Sequence, residues 1–206
     1  AAPAGYTFME ASLKGLTGGH SGDDINKKRG NALKIIARFL YLVQEKYGLR
    51  LASFNAGKLH NAIPRDGMAI FGVPADKKEN VKADWNVFAA EVADEYHVTE
   101  KSMQFSMEST DSEKVLPLET STKLIRALQA VGNGVFAMCQ DEALAWMVET
   151  SNNVASVETT DTEVTIVSSQ RSNVMSALDN QAATIKALFQ LAGAEVVQGD
   201  GYPAWK

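Results

Sequence analysis

An α+β fold, antiparallel strands with helices packed on one face, is what this 206-residue sequence predicts. Two hydrophobic periods alternate along the chain, near two residues for strands and near 3.6 for helices. The order strand, strand, helix, strand arises twice, near 50–107 and near 154–198, and it is the order of a ferredoxin-like sandwich. No Gly/Ser/Pro-rich linker divides the chain. One continuous body is therefore expected, with sub-lobes over about 1–109 and 110–206. Any duplication lies in element order and not in residue identity.

Elements follow in chain order. Tyr6 to Leu13 alternate as a strand does, Tyr6 and Phe8 on one face and Met9, Ala11 and Leu13 on the other. Leu33, Ile36, Leu40, Val43 and Tyr47 recur at helical spacing until Gly48. Arg50 to Phe54 and Met68 to Val73 read as strands, and Pro74 ends the second. Asp76 with Glu79 predicts a helix cap ahead of a face made by Val81, Trp85, Phe88 and Val92. Met103 to Met107 is a short strand. Thr110 with Glu113 predicts another cap, Pro117 a first helical turn, and Leu124, Leu128 and Val131 a helix closed by Gly132-Asn133-Gly134. Residues 135–146 fit neither period. A hairpin is expected from Val154 to Thr159 and Val164 to Arg171. A helix then runs through Val174, Leu178, Ile185 and Leu188 to a stop at Gly193, and Glu195 to Gln198 make a last strand.

Composition narrows function. Hydrophobic residues make up 45% and charged residues 22%, so the chain can bury a core without metal or disulfide staples. The formal net charge of −5 disfavours a nucleic-acid reader, which carries a basic excess. No apolar run approaches the ~20 residues of a membrane span, so no membrane partner is expected. Ala1-Ala2-Pro3-Ala4-Gly5 lacks the features of a secretory signal, and the lone Cys139 suits a reducing compartment. Only three histidines occur, far apart, so three convergent ligands for a hydrolytic zinc site are not in view and no metal ligand is assigned.

Gly15-Leu16-Thr17-Gly18-Gly19-His20-Ser21-Gly22-Asp23-Asp24 is the strongest local feature, with four glycines in eight residues between a strand and a helix. It fails the phosphate-loop pattern for want of Gly-Lys-Ser/Thr, and Asp23 stands where a serine elbow needs glycine. What remains is a histidine displayed on a turn, and two readings stand. His20 ties the turn to its own backbone, or it donates and takes up protons near neutral pH. Asn61, on a connection stiffened by Pro64, and Arg171, at a strand end, are likewise either ordinary surface groups or ligand-binding ones. Lys27-Lys28-Arg29 reads as a solvated helix entry, and His97 as a helix-end structural group. Trp85, Trp146 and Trp205 read as core or interface. Asp23-Asp24 and Asp141-Glu142 form no general acid/base couple.

Taken together, Gly18-Gly19-His20-Ser21-Gly22-Asp23-Asp24-Ile25, Arg29-Gly30-Asn31-Ala32, Phe54-Asn55-Ala56-Gly57 and Asn61-Ala62-Ile63-Pro64-Arg65 resemble the aminoacyl-histidine dipeptidases. The similarity continues through Val148 to Val154, Arg171-Ser172, Leu191 to Ala194 and Gly201 to Trp205, and so covers essentially the whole chain. These enzymes, also called Xaa-His dipeptidases, are zinc metallopeptidases of the carnosinase-like family. The resemblance implies that residues 1–206 are a single lid, or dimerisation domain, inserted in a catalytic domain that binds two zinc ions outside this chain. Cleavage of dipeptides in the cytoplasm is implied for the parent, and none for the isolated lid. His20 matches the lid histidine that stabilises the oxyanion, which related enzymes supply from a partner subunit. Asn61 and Arg171 match residues that hold the dipeptide, Arg171 at its free carboxylate. His60 stands where close relatives carry Arg, a departure that leaves position 60 without a role.

The implied partners are the chain's own catalytic domain, a dipeptide substrate and a second copy. The helix over 31–47 carries a second apolar stripe, Ile35, Phe39 and Leu42, which predicts that one stripe meets the core and the other a twofold partner. An inserted domain also predicts that both chain ends emerge on one side. The competing class is a non-enzymatic ferredoxin-like module that binds a small ligand.

Overall fold

Residues 1–199 are described by the computed structural model. Its regular elements are β1 (Tyr6–Lys14), β2 (Gly19–His20), α1 (Ala32–Tyr47), β3 (Arg50–Ala56), β4 (Ala62–Ile63), β5 (Gly67–Pro74) and α2 (Lys78–Glu95). They continue as β6 (Gln104–Thr110), α3 (Leu118–Ala130), β7 (Gly134–Met138), β8 (Val148–Thr159), β9 (Val164–Ser172) and α4 (Met175–Leu191).

Alternation in β1 decides the sheet's inner face. Met9 lies between Phe71 and Ser109, Ala11 between Ala69 and Met107, and Leu13 between Gly67 and Phe105. Met9, Ala11 and Leu13 are fully buried, and a slip of one residue would turn all three outward. The strands run in the order β6-β1-β5-β3-β8-β7, with β9 also paired to β8, and every pairing is antiparallel. All four helices contribute to one core with that inner face, from Leu33 and Phe39 through Trp85 and Ile125 to Ile185 and Phe189. The α+β architecture read from the two periods is the one observed.

β8 has a divided flank. β7 pairs with its first half and β3 meets it only at Val157, so the backbone of Val154 falls in the gap. Two asparagines fill it. The Val154 N–H donates to Asn133 Oδ1 at 2.9 Å, and Asn31 Nδ2 donates to the Val154 carbonyl at 2.9 Å. A buried strand segment without a ladder partner on this flank is thereby satisfied, as burial of backbone polar groups demands. The Asn31 side chain also caps α1 by accepting from the Lys34 N–H at 3.1 Å.

Several expectations give way. Asp76 is not a cap, because a 3-10 turn over Ala75–Lys77 precedes α2 and its N-cap, Lys77, makes no side-chain bond. Thr110 is not one either: it pairs with Phe8 at the end of β6, and α3 starts only after Pro117. The residues left open at 135–146 contain β7 and a 3-10 turn over Glu142–Leu144. The hairpin begins earlier than expected, at Val148, since buried polar residues there pair instead of alternating with apolar ones. Glu195 to Gln198 form no strand. The Ala194 N–H returns to the Phe189 carbonyl at the end of α4, and the chain leaves that cap without joining a sheet edge. The second strand-strand-helix-strand unit is therefore incomplete among the described residues.

The proposed outer stripe of α1 is also corrected. Ile35 and Phe39 are buried within this chain, with the Phe39 ring centroid 4.7 Å from Trp85 and 5.2 Å from Phe88 of α2. Only Leu42 is left partly open, at 37% exposure, so helix 31–47 has no free apolar face for a twofold partner. Trp85 is core, Trp146 is 71% exposed, and Trp205 lies outside the described residues with the Gly201 to Trp205 motif.

Candidate functional site

The glycine-rich segment leaves β1 at Lys14 and re-enters the core at α1, so its two ends must be fixed to hold any side chain between them. Glu100 does this. Its buried carboxylate accepts the Thr17 N–H at 2.7 Å and the Thr17 hydroxyl at 2.9 Å through Oε2, and the Gly30 N–H at 2.8 Å through Oε1. Sequence reasoning missed Glu100, which belongs to no motif and follows no periodic pattern. Inside the loop, Asp24 accepts the His20 N–H at 2.8 Å and the Lys27 ammonium at 2.6 Å. The bond from Lys27, then that from the His20 backbone, holds the Asp24 carboxyl below its ordinary range. Arg29 lies 3.3 Å from the same carboxylate and donates to the Gly18 carbonyl at 2.6 Å.

The two-stranded ladder of β2 and β4 joins the first two candidate residues. His20 is the register partner of Ala62, and the Ser21 N–H donates to the Asn61 carbonyl at 2.8 Å, which places Asn61 one step along from His20. This small ladder is held to the main sheet by Asn153 of β8, whose Nδ2 donates to the Ala62 carbonyl at 2.9 Å. Gly57 makes the crossing over β8, with φ +65° and room for no side chain, since a Cβ would come within 2.0 Å of the Ala155 carbonyl oxygen. Asn153, fully buried, acts here as a brace, a role its place in the Val148 to Val154 motif did not reveal.

Arg171 comes from the far side of β8, on β9, where it pairs with Ser151. The measure of its nearness to His20 is Gly22: a Cβ there would lie 2.9 Å from Arg171 Nη1 and 3.3 Å from His20 Cε1 and Nδ1. Guanidinium and imidazole thus converge on one glycine. The imidazole accepts the N–H groups of Gly22 and Asp23 at Nδ1, at 3.2 and 3.3 Å, with Asp23 Oδ2 3.5 Å away. So His20 does tie its turn, through backbone amides, while Nε2 has no hydrogen-bond partner among the described residues. Its side chain is 40% exposed. Arg171 is exposed and has no carboxylate partner among the described residues. His60 is exposed, and His97 bonds through Nδ1 to the Asp94 carbonyl, a helix-end contact.

What the arrangement offers is an open surface with one imidazole edge and one guanidinium, and the Asn61 backbone one ladder step from His20. Such a set can hydrogen-bond an oxygen and clamp a carboxylate. A separate cavity of about 360 Å³, lined by Ile25, Lys28, Arg29, Ile63, Tyr96 and Asn133, includes none of the three candidates. Among the described residues no three His, Cys, Asp or Glu side chains form a metal-binding group, so these residues do not fit a zinc pair. No helix among the described residues is long and apolar enough to cross a membrane.

Residues 11–100 match the family model described as the peptidase dimerisation domain. In particular, the chain is similar over its whole length to the cytosol non-specific dipeptidase of Escherichia coli strain K12, with 37% identity over 207 residues, 100% of this chain and 42% of the relative. The crystal structure of aminoacylhistidine dipeptidase from Vibrio alginolyticus matches with a TM-score of 0.95 and 34% identity, again over 100% of this chain and 42% of that one. The resemblance carried by the motifs therefore holds, and the chain spans 42% of the length of these relatives.

Proposed function

We propose that residues 1–206 form the lid and dimerisation domain of a dipeptidase, inserted in a catalytic domain that holds two zinc ions outside this chain. His20 supplies a hydrogen-bond donor to the oxygen that becomes negative when a peptide bond is attacked. Arg171 receives the free carboxylate of the dipeptide through paired N–H donors, and Asn61 holds the peptide unit. An exopeptidase needs such a cation to measure chain length. The partners are the catalytic domain, a dipeptide and a second copy of the chain, and the setting is the cytoplasm.

The observation that carries this reading is the convergence of His20 and Arg171 on Gly22, with Asn61 one ladder step away. His20 and Arg171, from two separate stretches, meet on an open surface, and neither the imidazole Nε2 nor the guanidinium has a hydrogen-bond or carboxylate partner among the described residues.

A pair of measurements tests it. The 206-residue chain alone should show no dipeptide hydrolysis with zinc supplied, and turnover abolished by a chelator would contradict the assignment. In the full-length enzyme, Arg171→Ala should raise KM for a dipeptide and leave KM for its C-terminal amide unchanged. Equal effects on both substrates would remove Arg171 from the carboxylate.

A further inference from the structure

The two nitrogens of the His20 ring meet different surroundings. Nδ1 faces two backbone donors, the N–H groups of Gly22 and Asp23 at 3.2 and 3.3 Å, whereas Nε2 meets no protein partner among the described residues. A nitrogen that accepts must offer its lone pair, so in the neutral ring the proton belongs on the other nitrogen. We propose that the Gly22 and Asp23 amides are a positioning device that fixes His20 as the Nε2–H tautomer, and that residue 22 is a glycine because the same spot seats Arg171.

One group opposes this. Asp23 Oδ2 lies 3.5 Å from Nδ1 and would favour a proton there. That carboxylate side chain is 88% exposed and therefore screened by water, while a proton on Nδ1 would be driven against two N–H groups already aimed at it. The two amides prevail. The need for glycine is one of space alone: φ at Gly22 is not in the left-handed region, so alanine suits the backbone. Its Cβ would nonetheless sit 2.9 Å from Arg171 Nη1 and 3.3 Å from the imidazole, and both groups would have to move.

The consequence rests on the proposed function. With the tautomer fixed, Nε2–H always presents a donor to the developing oxyanion, so no orientation is sought during reaction. Gly22 and Asp23 are thus positioning residues that act through His20, and Gly22 sets the spacing between the oxyanion donor and the carboxylate clamp.

Nitrogen-15 NMR of the imidazoles in the 206-residue chain, with His20 assigned by its loss in His20→Asn, reads the tautomer directly. The expected result is a single neutral form with the proton on Nε2; a mixture, or a proton on Nδ1, overturns the proposal. Hydrogen exchange gives a second readout. Asn places its Oδ1 near where Nδ1 stands, so His20→Asn should keep the Gly22 and Asp23 amides protected, and His20→Ala should expose them. Equal exchange in all three proteins overturns the proposal as well. In the full-length enzyme Gly22→Ala should fold, raise KM and lower kcat, together up to about 100-fold in kcat/KM for a displacement near 1 Å. Unchanged kinetics would refute the spacing role. The NMR and exchange results stand whether or not His20 takes part in catalysis, so failure here is separable from failure of the proposed function.

Discussion

His20, Asn61 and Arg171 have little in common in sequence, and what unites them is where three short backbone segments run. The glycine-rich turn could be noticed from its composition, because glycines crowd where a chain bends sharply or approaches another group. None of the three residues by itself signals a ligand-binding role in the sequence, since a histidine, an asparagine or an arginine alone fits an ordinary surface. Their meeting was not legible, because the two-residue ladder of His20 with Ala62 is too short to leave a period. Glu100 was hidden for a related reason: a buried carboxylate that staples Thr17 to Gly30 bonds to backbone amides, which any sequence possesses. Glu100→Gln should keep one acceptor for Gly30 and set an N–H group against the Thr17 donors. A loss of about 1–3 kcal/mol in urea unfolding is expected, together with faster amide exchange over residues 17–30. No change in either would mean the loop is held by other contacts.

At the scale of elements, α1 shows why two apolar stripes do not by themselves announce an external partner. Periodicity reports how many sides of a helix avoid water, not which body covers them. Here Trp85 and Phe88 of α2 cover the second stripe, and Phe39→Ala should cost about 3–5 kcal/mol in the chain's own unfolding. A small loss, or one that depends on protein concentration, would point instead to an interface. The helices and the first strands were legible because each has one dry side. The caps were not, since Asp76 falls inside the 3-10 turn over Ala75–Lys77 and an irregular stretch to Pro117 separates Thr110 and Glu113 from α3. Lys34 joins α1 to α3, with its Nζ donating to the carbonyls of Leu128, Gln129 and Val131 at 2.5, 3.1 and 2.6 Å. Burial pushes its ammonium down to about 8 from 10.5, while those carbonyls pull the other way. Between about 8 and 10.5 the folded chain releases this proton before the unfolded one does, so the unfolded state binds more protons and stability rises with pH there. Relative to Lys34→Met, the chain should gain stability across that window in denaturant titrations, and a flat difference would show the ammonium fully stabilised by its carbonyls.

The proposed function divides grip from chemistry at the scale of the whole molecule. A single sheet runs from β6 to β7 and β9; Arg171 lies on β9 itself, and the segments that present His20 and Asn61 are braced onto the sheet by Glu100 and Asn153. Strand order of this kind has no signature in local patterns, which is why the split flank of β8 and the missing last strand came only from the structure. Apolar side chains on the surface of the described residues include Val135, Phe136, Met138, Leu144 and Trp146, on and after β7, whereas α1 exposes only Leu42 among its large apolar residues. The central claim is that this domain reaches over a hydrolytic centre and hands it a hydrogen-bond donor. Turnover of a dipeptide by the full-length enzyme carrying His20→Ala tests it most directly: kcat should fall by about 100- to 1,000-fold with the fold intact. A kcat equal to that of the unmodified enzyme would contradict it.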